Sequence, residues 1–420
     1  MKIRRTLPPA ASPLTWKDWG GGFRGLFDPG ILGRIEREFV EHFGARHAFL
    51  VSSGKAALVL ILQALREDSS RRKVVVPAYT CYSVPSAIIK AGLDVVPCDI
   101  DESTLDFDYG LLAGLVDEKT LCVVPTHLFG VPSDVARCRE ICRRAGAYVV
   151  EDAGQAMGAR AGGKALGTLG DVGFFSLGRG KNITCLSGGV ILTSDDEIAR
   201  RIRRRWEGLE RESRFAALQA ILEAALLIVF LRPWLYWFPA GLPFLGLGET
   251  RFVDDFPIRP LGRFHAGLLE GWRSRLESFN SRRAYVAGIY ADRIALKGRS
   301  PFHPANVPFL RFPLFASDPG TKRDLCERGR RLGMSPMYPD TIANLGPIRR
   351  GRRGPICERA ERVAGMLFTL PTHIYVTEKD CAELTGLLRG RLAGEDAGSI
   401  HEEPSRPERL VHTGRERDPQ

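Results

Sequence analysis

Short apolar runs with little alternation recur through the first half of the chain, and stretches of helical periodicity separate them. The runs lie at 73–76, 94–97, 121–124, 147–150, 172–175 and 190–193. Runs of this length and composition are expected of strands that are buried on both faces, as in a parallel sheet covered by helices. The pattern therefore predicts an α/β fold of three layers around a mainly parallel sheet.

Helical patterns lie on both sides of these runs. One helix is predicted to end near Gly44, and another to run from Lys55 to about Arg66. Downstream, apolar positions on one helical face lead towards a second, smaller α/β domain: Leu268, Leu269, Trp272, Leu276 and Phe279.

These patterns divide the chain into four parts. Residues 1–32 form an N-terminal arm, 33–295 a large domain and 296–393 a small C-terminal domain. Residues 394–420 are charged and contain Pro and Gly, so we expect a disordered tail.

The composition narrows the possible partners. With 420 residues, of which 44% are hydrophobic, the chain can bury a large core. The net charge is +11, but the arginines are scattered without interleaved aromatic residues, so we expect no nucleic-acid partner. A cationic surface that faces anionic lipids or phosphorylated substrates fits this charge better.

Cysteine usage and the N-terminus bear on the compartment. The nine cysteines include no CxxC pair and no His-rich metal spacing, so we expect reduced thiols and no metal site. The first residues carry positive charge but lack the apolar stretch of a secretory signal. The expected location is the cytoplasm.

Two groups that suit pyridoxal phosphate (PLP) chemistry each follow a predicted strand. Asp152 follows the run at 147–150, and Lys181 follows the run at 172–175. A lysine that attaches this cofactor and a carboxylate that keeps its pyridine nitrogen protonated together make it an electron sink. Open α/β sheets bind ligands at the carboxyl ends of strands, so the arrangement predicts a PLP site. Taken singly, Lys181 is more often a surface lysine, and Asp152 a helix cap or turn former.

A phosphate site is predicted where a helix begins. Ser53, Gly54 and Lys55 open the predicted helix, so free backbone N–H groups and the positive end of its dipole converge there. Such helix starts are common, and Lys55 either contacts the phosphate or points to solvent.

Further motifs follow one another in a consistent order. They are Ser52-Ser53-Gly54-Lys55, Val76-Pro77-Ala78-Tyr79-Thr80, Asp99-Ile100-Asp101, Thr126-His127-Leu128-Phe129-Gly130, Asp152-Ala153-Gly154-Gln155, the run from Gly167 to Ser176, Ser187-Gly188-Gly189, Ser335-Pro336-Met337-Tyr338-Pro339 and Leu370-Pro371-Thr372-His373. Together with the Gly-Lys-Asn around Lys181, they resemble the PLP-dependent nucleotide-sugar aminotransferases of the DegT and StrS family. The resemblance covers roughly 31–392 except for one block.

The resemblance implies the fold of the fold-type-I PLP-dependent transferases. It also implies a homodimer, because members of this family are homodimers. It implies that Lys181 carries the cofactor and moves protons, and that Asp152 faces the pyridine nitrogen. Gln155 is implied to lie near the phenolic oxygen of the cofactor and Ser176 to bind its phosphate. The alternatives are a turn-stabilising amide for Gln155 and a buried, satisfied hydroxyl for Ser176.

The implied activity is amino transfer from an amino acid, glutamate, to a keto sugar. The sugar is expected to be linked to a nucleotide, in polysaccharide or cell-surface glycan biosynthesis. Sugar dehydratases of the family have His in place of the lysine, so Lys181 favours the aminotransferase.

Three departures from the family pattern limit what the resemblance carries. Cys81 stands where the family has a ring-stacking aromatic residue, so Tyr82 is the candidate for that contact. At 257–260 only Arg259 remains of an Asn-x-Arg-Met segment that reaches the partner subunit, and 338–343 lacks the His that lies near the sugar. The departures leave open a non-catalytic, membrane-associated homologue with a binding or regulatory role.

The block without resemblance is an apolar insertion at 206–250. Residues 215–231 are apolar except for Gln219 and Glu223, and Trp234, Tyr236 and Trp237 follow them. Seventeen helical residues reach about 26 Å, which is just short of a bilayer core, and Glu223 and Pro233 argue against a clean span.

Two interpretations of the block at 215–248 compete. A helical hairpin that dips into one leaflet would explain its apolar surface, its aromatic cluster and the arginines before it, and would place the protein on the inner face of the cytoplasmic membrane. The alternative is a buried dimerisation element or a lid. We favour the membrane, because burying so apolar a block within protein would require an equally large apolar partner surface.

Overall fold

The computed structural model describes residues 4–242, 246–248, 250–294, 307–349 and 357–392. The predicted tail at 394–420 lies outside the described residues, as does part of the predicted small domain. The division of the chain into domains stays a prediction.

A seven-stranded sheet forms the centre of the large domain. Its strands are β1 (His47–Val51), β2 (Lys73–Pro77), β3 (Asp94–Cys98), β4 (Thr120–Val123), β5 (Tyr148–Asp152), β8 (Val172–Ser176) and β9 (Gly189–Thr193), while β6 (Arg160–Ala161) and β7 (Lys164–Ala165) form a small separate hairpin. The order is β1-β9-β8-β5-β4-β2-β3, and only β9 runs antiparallel to its neighbours. The predicted α/β fold with a mainly parallel sheet is confirmed.

All six predicted apolar runs lie in strands of this sheet, but β1 was not predicted. It has only a short apolar run, and it pairs at the edge of the sheet with the antiparallel β9. Because this pairing joins residues that are far apart along the chain, the local pattern alone did not reveal it.

Helices cover both faces of the sheet. One face packs against α1 (Trp16–Phe27), α2 (Ile31–Phe43), α10 (Arg263–Gly267) and the start of α11 (Trp272–Ile294). The other face carries α3 (Gly54–Arg66), α4 (Ser83–Lys90) and α7 (Asp196–Glu207). The helices α5 (Tyr109–Leu115) and α6 (Val135–Ala145) pack on the same face as α2, against the alternate strand residues Val75, Val123 and Val149. The helix predicted from Lys55 to about Arg66 is confirmed as α3, and the predicted stop near Gly44 is confirmed, since Gly44 has a φ of +68° at the end of α2.

The N-terminal arm contains α1, which packs tightly on α10. The backbones of the two helices are in direct contact. If Gly25 had a Cβ atom, it would lie 2.6 Å from the carbonyl oxygen of Arg263. If Gly267 had a Cβ atom, it would lie 2.3 Å from the carbonyl oxygen of Gly21. Only glycine allows this approach. It fixes the arm against the large domain.

A second core lies towards the C-terminus. There β10 (Arg311–Phe315) pairs antiparallel with β11 (Leu367–Pro371), and the pair packs with α12 (Pro319–Gly329), α14 (Glu358–Met366), α15 (Glu378–Leu387) and the second half of α11. The short helix α13 (Gly346–Arg349) lies between α12 and α14 in sequence. Leu7 of the arm and Tyr79 after β2 also belong to this core. The segment from β10 to α15 is thereby attached to the large domain.

The apolar insertion forms α8 (Arg214–Phe230) and the short α9 (Trp237–Ala240). The predicted helix of 17 residues is confirmed. Across the described ranges, no helix is both long enough and apolar enough to cross a bilayer.

Candidate active site

The site is built where the neighbouring parallel strands β5 and β8 end. Asp152 is the last residue of β5 and is nearly buried, and its Oδ1 accepts a hydrogen bond of 2.9 Å from the Gly154 N–H. In the described part of the chain no donor bonds its Oδ2, so this oxygen is available to a ligand. Burial raises the pKa of Asp152, and the Gly154 N–H and the charge of Lys181 act against that rise.

Lys181 lies in the turn that follows β8 and is half-buried. Its charge is close enough to Asp152 to favour the ionised carboxylate. The turn bends at Gly180, whose φ is +74°, and its backbone closes through the Lys181 N–H to the Gly178 carbonyl at 3.2 Å. The two residues predicted to carry the chemistry therefore meet at one edge of the sheet.

The turn that carries Lys181 is held from behind by Arg283 of α11. This guanidinium is fully buried and donates to the carbonyl oxygens of Lys181 at 3.2 Å and Asn182 at 3.0 Å. It also donates to Ser12 Oγ at 3.1 Å, and the Ser12 hydroxyl in turn donates to the Lys181 carbonyl. Burial lowers the pKa of Arg283 to about 9.

Sequence reasoning missed Arg283. The signal was present, because the apolar face that includes Leu276 and Phe279 continues to Val286, and position 283 falls on that face. An arginine on an apolar helical face indicates a buried cation that needs acceptors.

The predicted phosphate cradle is formed by the start of α3 and the end of β8. The Ser53 side chain caps α3 by accepting from the Ala56 N–H at 3.1 Å. A Cβ on Gly54 would lie 3.0 Å from Ser176 Cβ, and one on Gly189 would lie 2.5 Å from the Ser53 carbonyl oxygen. Glycine at these positions leaves room beside Ser176 and brings its hydroxyl to the N-terminal end of α3.

Lys55 faces a neighbouring cavity of about 350 Å³. The cavity is lined by Ser52, Ser53, Ser187, Glu212, Phe256 and Arg259, among others. The Lys55 ammonium lies 4.1 Å from the centre of the Phe256 ring, and burial lowers the pKa of Lys55. Lys55 is thus half-buried beside the cradle rather than directed freely into solvent.

Gln155 is engaged within the chain. Its Nε2 donates to the Tyr338 hydroxyl at 2.8 Å, and its Oε1 accepts from the Phe129 N–H at 3.2 Å. It links the end of β5 to the C-terminal core. The contacts match the amide-stabilising interpretation, and the cofactor role stays a prediction.

Tyr82 is likewise engaged. Its ring is nearly buried in the core on the α3 side of the sheet, and its hydroxyl donates to the Asp340 carbonyl at 3.1 Å. Cys81, at the position of the family's stacking residue, is partly exposed and accepts from the Ser83 hydroxyl at 3.0 Å. The role of Tyr82 as the stacking residue stays a prediction.

A buried pair beneath the site also escaped the sequence analysis. His127 Nδ1 accepts from the Ser133 N–H at 3.0 Å, so the proton lies on Nε2, which donates to Glu151 Oε1 at 2.7 Å. Burial alone would raise the pKa of Glu151, but the His127 hydrogen bond and the N–H groups of Gly167 and Gly170 bring it below its usual value. Glu151 precedes Asp152, so this network fixes the end of β5.

Comparison with known proteins finds a family of similar sequences. Residues 32–219 match the model of the DegT/DnrJ/EryC1/StrS aminotransferase family. The likeness to this family covers less than half of the chain. The match includes β1 to β9 and every residue that the sequence analysis assigned to the site.

A curated relative is GDP-perosamine synthase of Caulobacter vibrioides. It is 34% identical over 182 residues, which are 43% of this chain and 49% of that protein. The chain thus matches about half the length of this curated relative.

Solved structures share the fold over most of the chain. Helicobacter pylori PseC, an aminotransferase involved in pseudoaminic acid biosynthesis, has a TM-score of 0.73 at 16% identity, covering 91% of this chain and 98% of its own. A sugar aminotransferase from Micromonospora echinospora has a TM-score of 0.72 at 22% identity, covering 91% and 99%. A GDP-4-keto-6-deoxymannose-3-dehydratase has a TM-score of 0.71 at 18% identity, covering 91% and 100%. The same fold therefore occurs in two kinds of enzyme, and the site residues must distinguish between them.

The contacts of Arg283 give a first testable prediction. In Arg283→Met the carbonyl oxygens of Lys181 and Asn182 lose their buried donor, which should cost about 2–3 kcal/mol of unfolding free energy. Thermal unfolding followed by circular dichroism measures the loss. Arg293→Met, at an exposed position of the same helix, is the matched control and should change little. Equal stability of the two variants would contradict the holding role.

Proposed function

We propose that this protein is a PLP-dependent aminotransferase that moves an amino group from glutamate to a nucleotide-linked keto sugar in polysaccharide or cell-surface glycan biosynthesis. The observation that carries the proposal is the meeting of Lys181 with the buried Asp152 at the ends of two adjacent strands. The name of the curated relative, GDP-perosamine synthase, refers to a GDP-linked compound and supports the nucleotide-linked substrate.

The described residues suit PLP. Asp152 Oδ2, which no donor among the described residues bonds, would accept from a ring N–H. Ser176 and the start of α3 would hold the phosphate, and Lys181 would attach the aldehyde carbon. When bound, PLP supplies an electron sink for the carbon from which a proton is removed. No metal is required for this chemistry.

Each residue then has a defined task. The Lys181 amine would take a proton from the substrate carbon that bears the amino nitrogen and return it to the carbon on the other side of that nitrogen. The Asp152 carboxylate keeps a proton on the ring nitrogen, because burial makes an unpaired negative charge at this position costly. Lys181 also argues against a dehydratase, in which the family has His.

The homodimer is also a proposal, and it rests on the family resemblance. The partner subunit would approach the cavity beside Lys55, at Ser52, Ser53 and Arg259. A non-catalytic homologue remains the alternative function. It is favoured only by the engaged Tyr82 and by the departures at Cys81, 257–260 and 338–343.

We further propose that α8 faces the surface of the cytoplasmic membrane. Its large residues Phe215, Leu218, Leu222 and Leu226 lie on one side of the helix and are 70, 62, 61 and 48% exposed. The small Ala220 and Ala224 face the protein core instead. A helix whose large apolar side chains point outward needs an apolar environment there.

Within α8, Gln219 is exposed beside the outward apolar side chains, whereas Glu223 is paired. Glu223 pairs with Arg179, two residues before Lys181, at 3.2 Å, and Trp19 Nε1 of α1 donates to the Ile221 carbonyl at 3.1 Å. These contacts attach α8 to α1 and to the Lys181 turn, so the apolar face keeps a fixed orientation relative to the site.

Replacing the lysine tests the catalytic assignment. Lys181→Ala should lose covalent PLP, measured as the mass added after borohydride reduction, and should lose transamination, because one group supplies both attachment and proton transfer. Lys164→Ala, an exposed lysine outside the site, should retain both. Near-normal turnover in Lys181→Ala would overturn the role of Lys181, whereas a wild-type protein that holds no covalent PLP and turns over no substrate would favour the non-catalytic alternative.

The role of Asp152 is tested by removing only its charge. Asp152→Asn keeps the shape of the side chain and should lower kcat roughly a hundredfold, on the order of 3 kcal/mol, because the ring nitrogen loses its counter-ion. The absorbance spectrum of bound PLP should shift as well. Wild-type kcat in Asp152→Asn would mean that this carboxylate serves only as a turn former for Gly154.

The membrane proposal is tested on the outward face of α8. Changing Leu218, Leu222 and Trp234 together to Ser should lower affinity for anionic vesicles a hundredfold or more, at about 1 kcal/mol or more per side chain. The control changes Leu111, Val253 and Ile374 to Ser, which are exposed apolar residues elsewhere. Co-sedimentation measures binding, and light scattering measures mass. The outward face of α8 would instead be a subunit interface if the wild type does not bind vesicles and the triple variant changes from dimer to monomer.

A further inference from the structure

A large cavity lies between the insertion and the C-terminal core. It has a volume of about 710 Å³ and is lined on one side by Tyr236, Trp237, Ala240, Leu242 and Leu247. The other side is formed by Glu327, Arg328, Arg330 and Arg331, at the end of α12, and by the arm residues Thr6, Leu7 and Pro9. Nothing in the proposed transamination uses this cavity.

The two sides differ in chemistry. The insertion contributes mainly apolar and aromatic side chains, whereas three arginines against one glutamate leave the α12 side with a positive excess. Arg330 lies near enough to Tyr236 for its charge to oppose the effect of burial, which raises the pKa of that phenol. A ligand that matches both sides has an anionic group joined to a hydrocarbon chain.

The arginines differ in how far they are already engaged. Arg331 pairs with Glu383 and also donates to the Arg5 carbonyl at 3.4 Å, so it holds the arm in place. Arg328 is exposed and has a 3.5 Å contact with Asp324, which Arg391 also contacts. Arg328 and exposed Arg330 are therefore the side chains most available to an anion.

The apolar side is continuous with the outward face of the insertion. Trp237 packs edge-to-face on Phe238 with ring centres 6.0 Å apart, and Phe238 lies 5.6 Å from Phe230 at the end of α8. Phe238 and the neighbouring Trp234 are largely exposed. The rings of Trp237, Phe238 and Phe230 thus form an apolar connection between the cavity and the end of α8.

We infer that this cavity binds the phosphate headgroup of an anionic phospholipid, with Arg328 and Arg330 on the phosphate and Trp237 and Leu247 along the chain. The inference rests on the proposed membrane association, because a bilayer at α8 is the source of the lipid. A basic cluster beside a membrane-facing element attracts anionic lipid, at about 1 kcal/mol for each basic residue near the surface. A soluble phosphate ester would match the arginines but leave the apolar side without a partner.

The experiment compares two double variants with the same change in charge. Arg328→Gln with Arg330→Gln should weaken binding to phosphatidylglycerol vesicles roughly thirtyfold, as two basic residues near the surface would contribute. Arg323→Gln with Arg389→Gln, exposed positions that do not line the cavity, should weaken it less than threefold. Both should bind phosphatidylcholine vesicles like the wild type. An equal loss of vesicle affinity in the two variants would show that binding depends on the overall surface charge. That result would overturn the proposed site.

A soluble probe separates this inference from membrane association. Dihexanoyl phosphatidylglycerol below its micellar concentration should bind the wild type in calorimetry and lose binding in the Arg328/Arg330 variant, whereas inorganic phosphate at the same concentration should not compete. Binding of the short lipid by a protein that ignores vesicles would retain the site and reject the membrane role of α8. Absence of short-lipid binding, or full competition by phosphate, would overturn the lipid site whatever the vesicles show.

Discussion

The buried guanidinium of Arg283 is the contact on which the catalytic end of the molecule depends. It joins α11, the arm at Ser12 and the turn that carries Lys181. Among the described residues it has no carboxylate partner, so backbone carbonyls and a hydroxyl offset the cost of burying the charge. The planar guanidinium tolerates little movement of these acceptors, because each lost acceptor leaves a buried N–H donor without a hydrogen bond. The position of Lys181 is thereby set by segments remote from it in sequence.

The opposite side of the site is fixed by a second buried network. Glu151 receives hydrogen bonds from His127 and from the loop at 167–170, while Asp152, the next residue, keeps one oxygen without a partner in the described chain. Adjacent carboxylates thus have different tasks. The satisfied one holds the strand end, and the unsatisfied one is available to a ligand. The opposite directions of their pKa shifts express this division.

The insertion adds a different constraint to the same fold. Its core-facing side uses alanines, which lets α8 lie close to α1 and α10, and its larger side chains point outward. The Arg179–Glu223 pair connects this surface to the Lys181 turn. An enzyme of the proposed kind would hold its active site at a fixed position relative to a lipid surface. Substrates or products of glycan assembly at the membrane would then meet the site close to where they are used.

Local sequence determined much of this protein. Apolar runs located six strands of the main sheet, helical spacing located α3 and the 17-residue α8, and the positions of Asp152 and Lys181 after strands indicated where ligand chemistry would gather. These features depend on neighbours along the chain, on residue type and on the rule that ligands bind at strand ends. The tertiary structure decided the rest. β1 needed β9 as a partner, Gln155 and Tyr82 were engaged by residues of 338–340, and Arg283 found its acceptors about a hundred residues or more away. For α8, whose residues are apolar all round, periodicity carries no direction, so only packing against α1 and α10 settled which side faces outward.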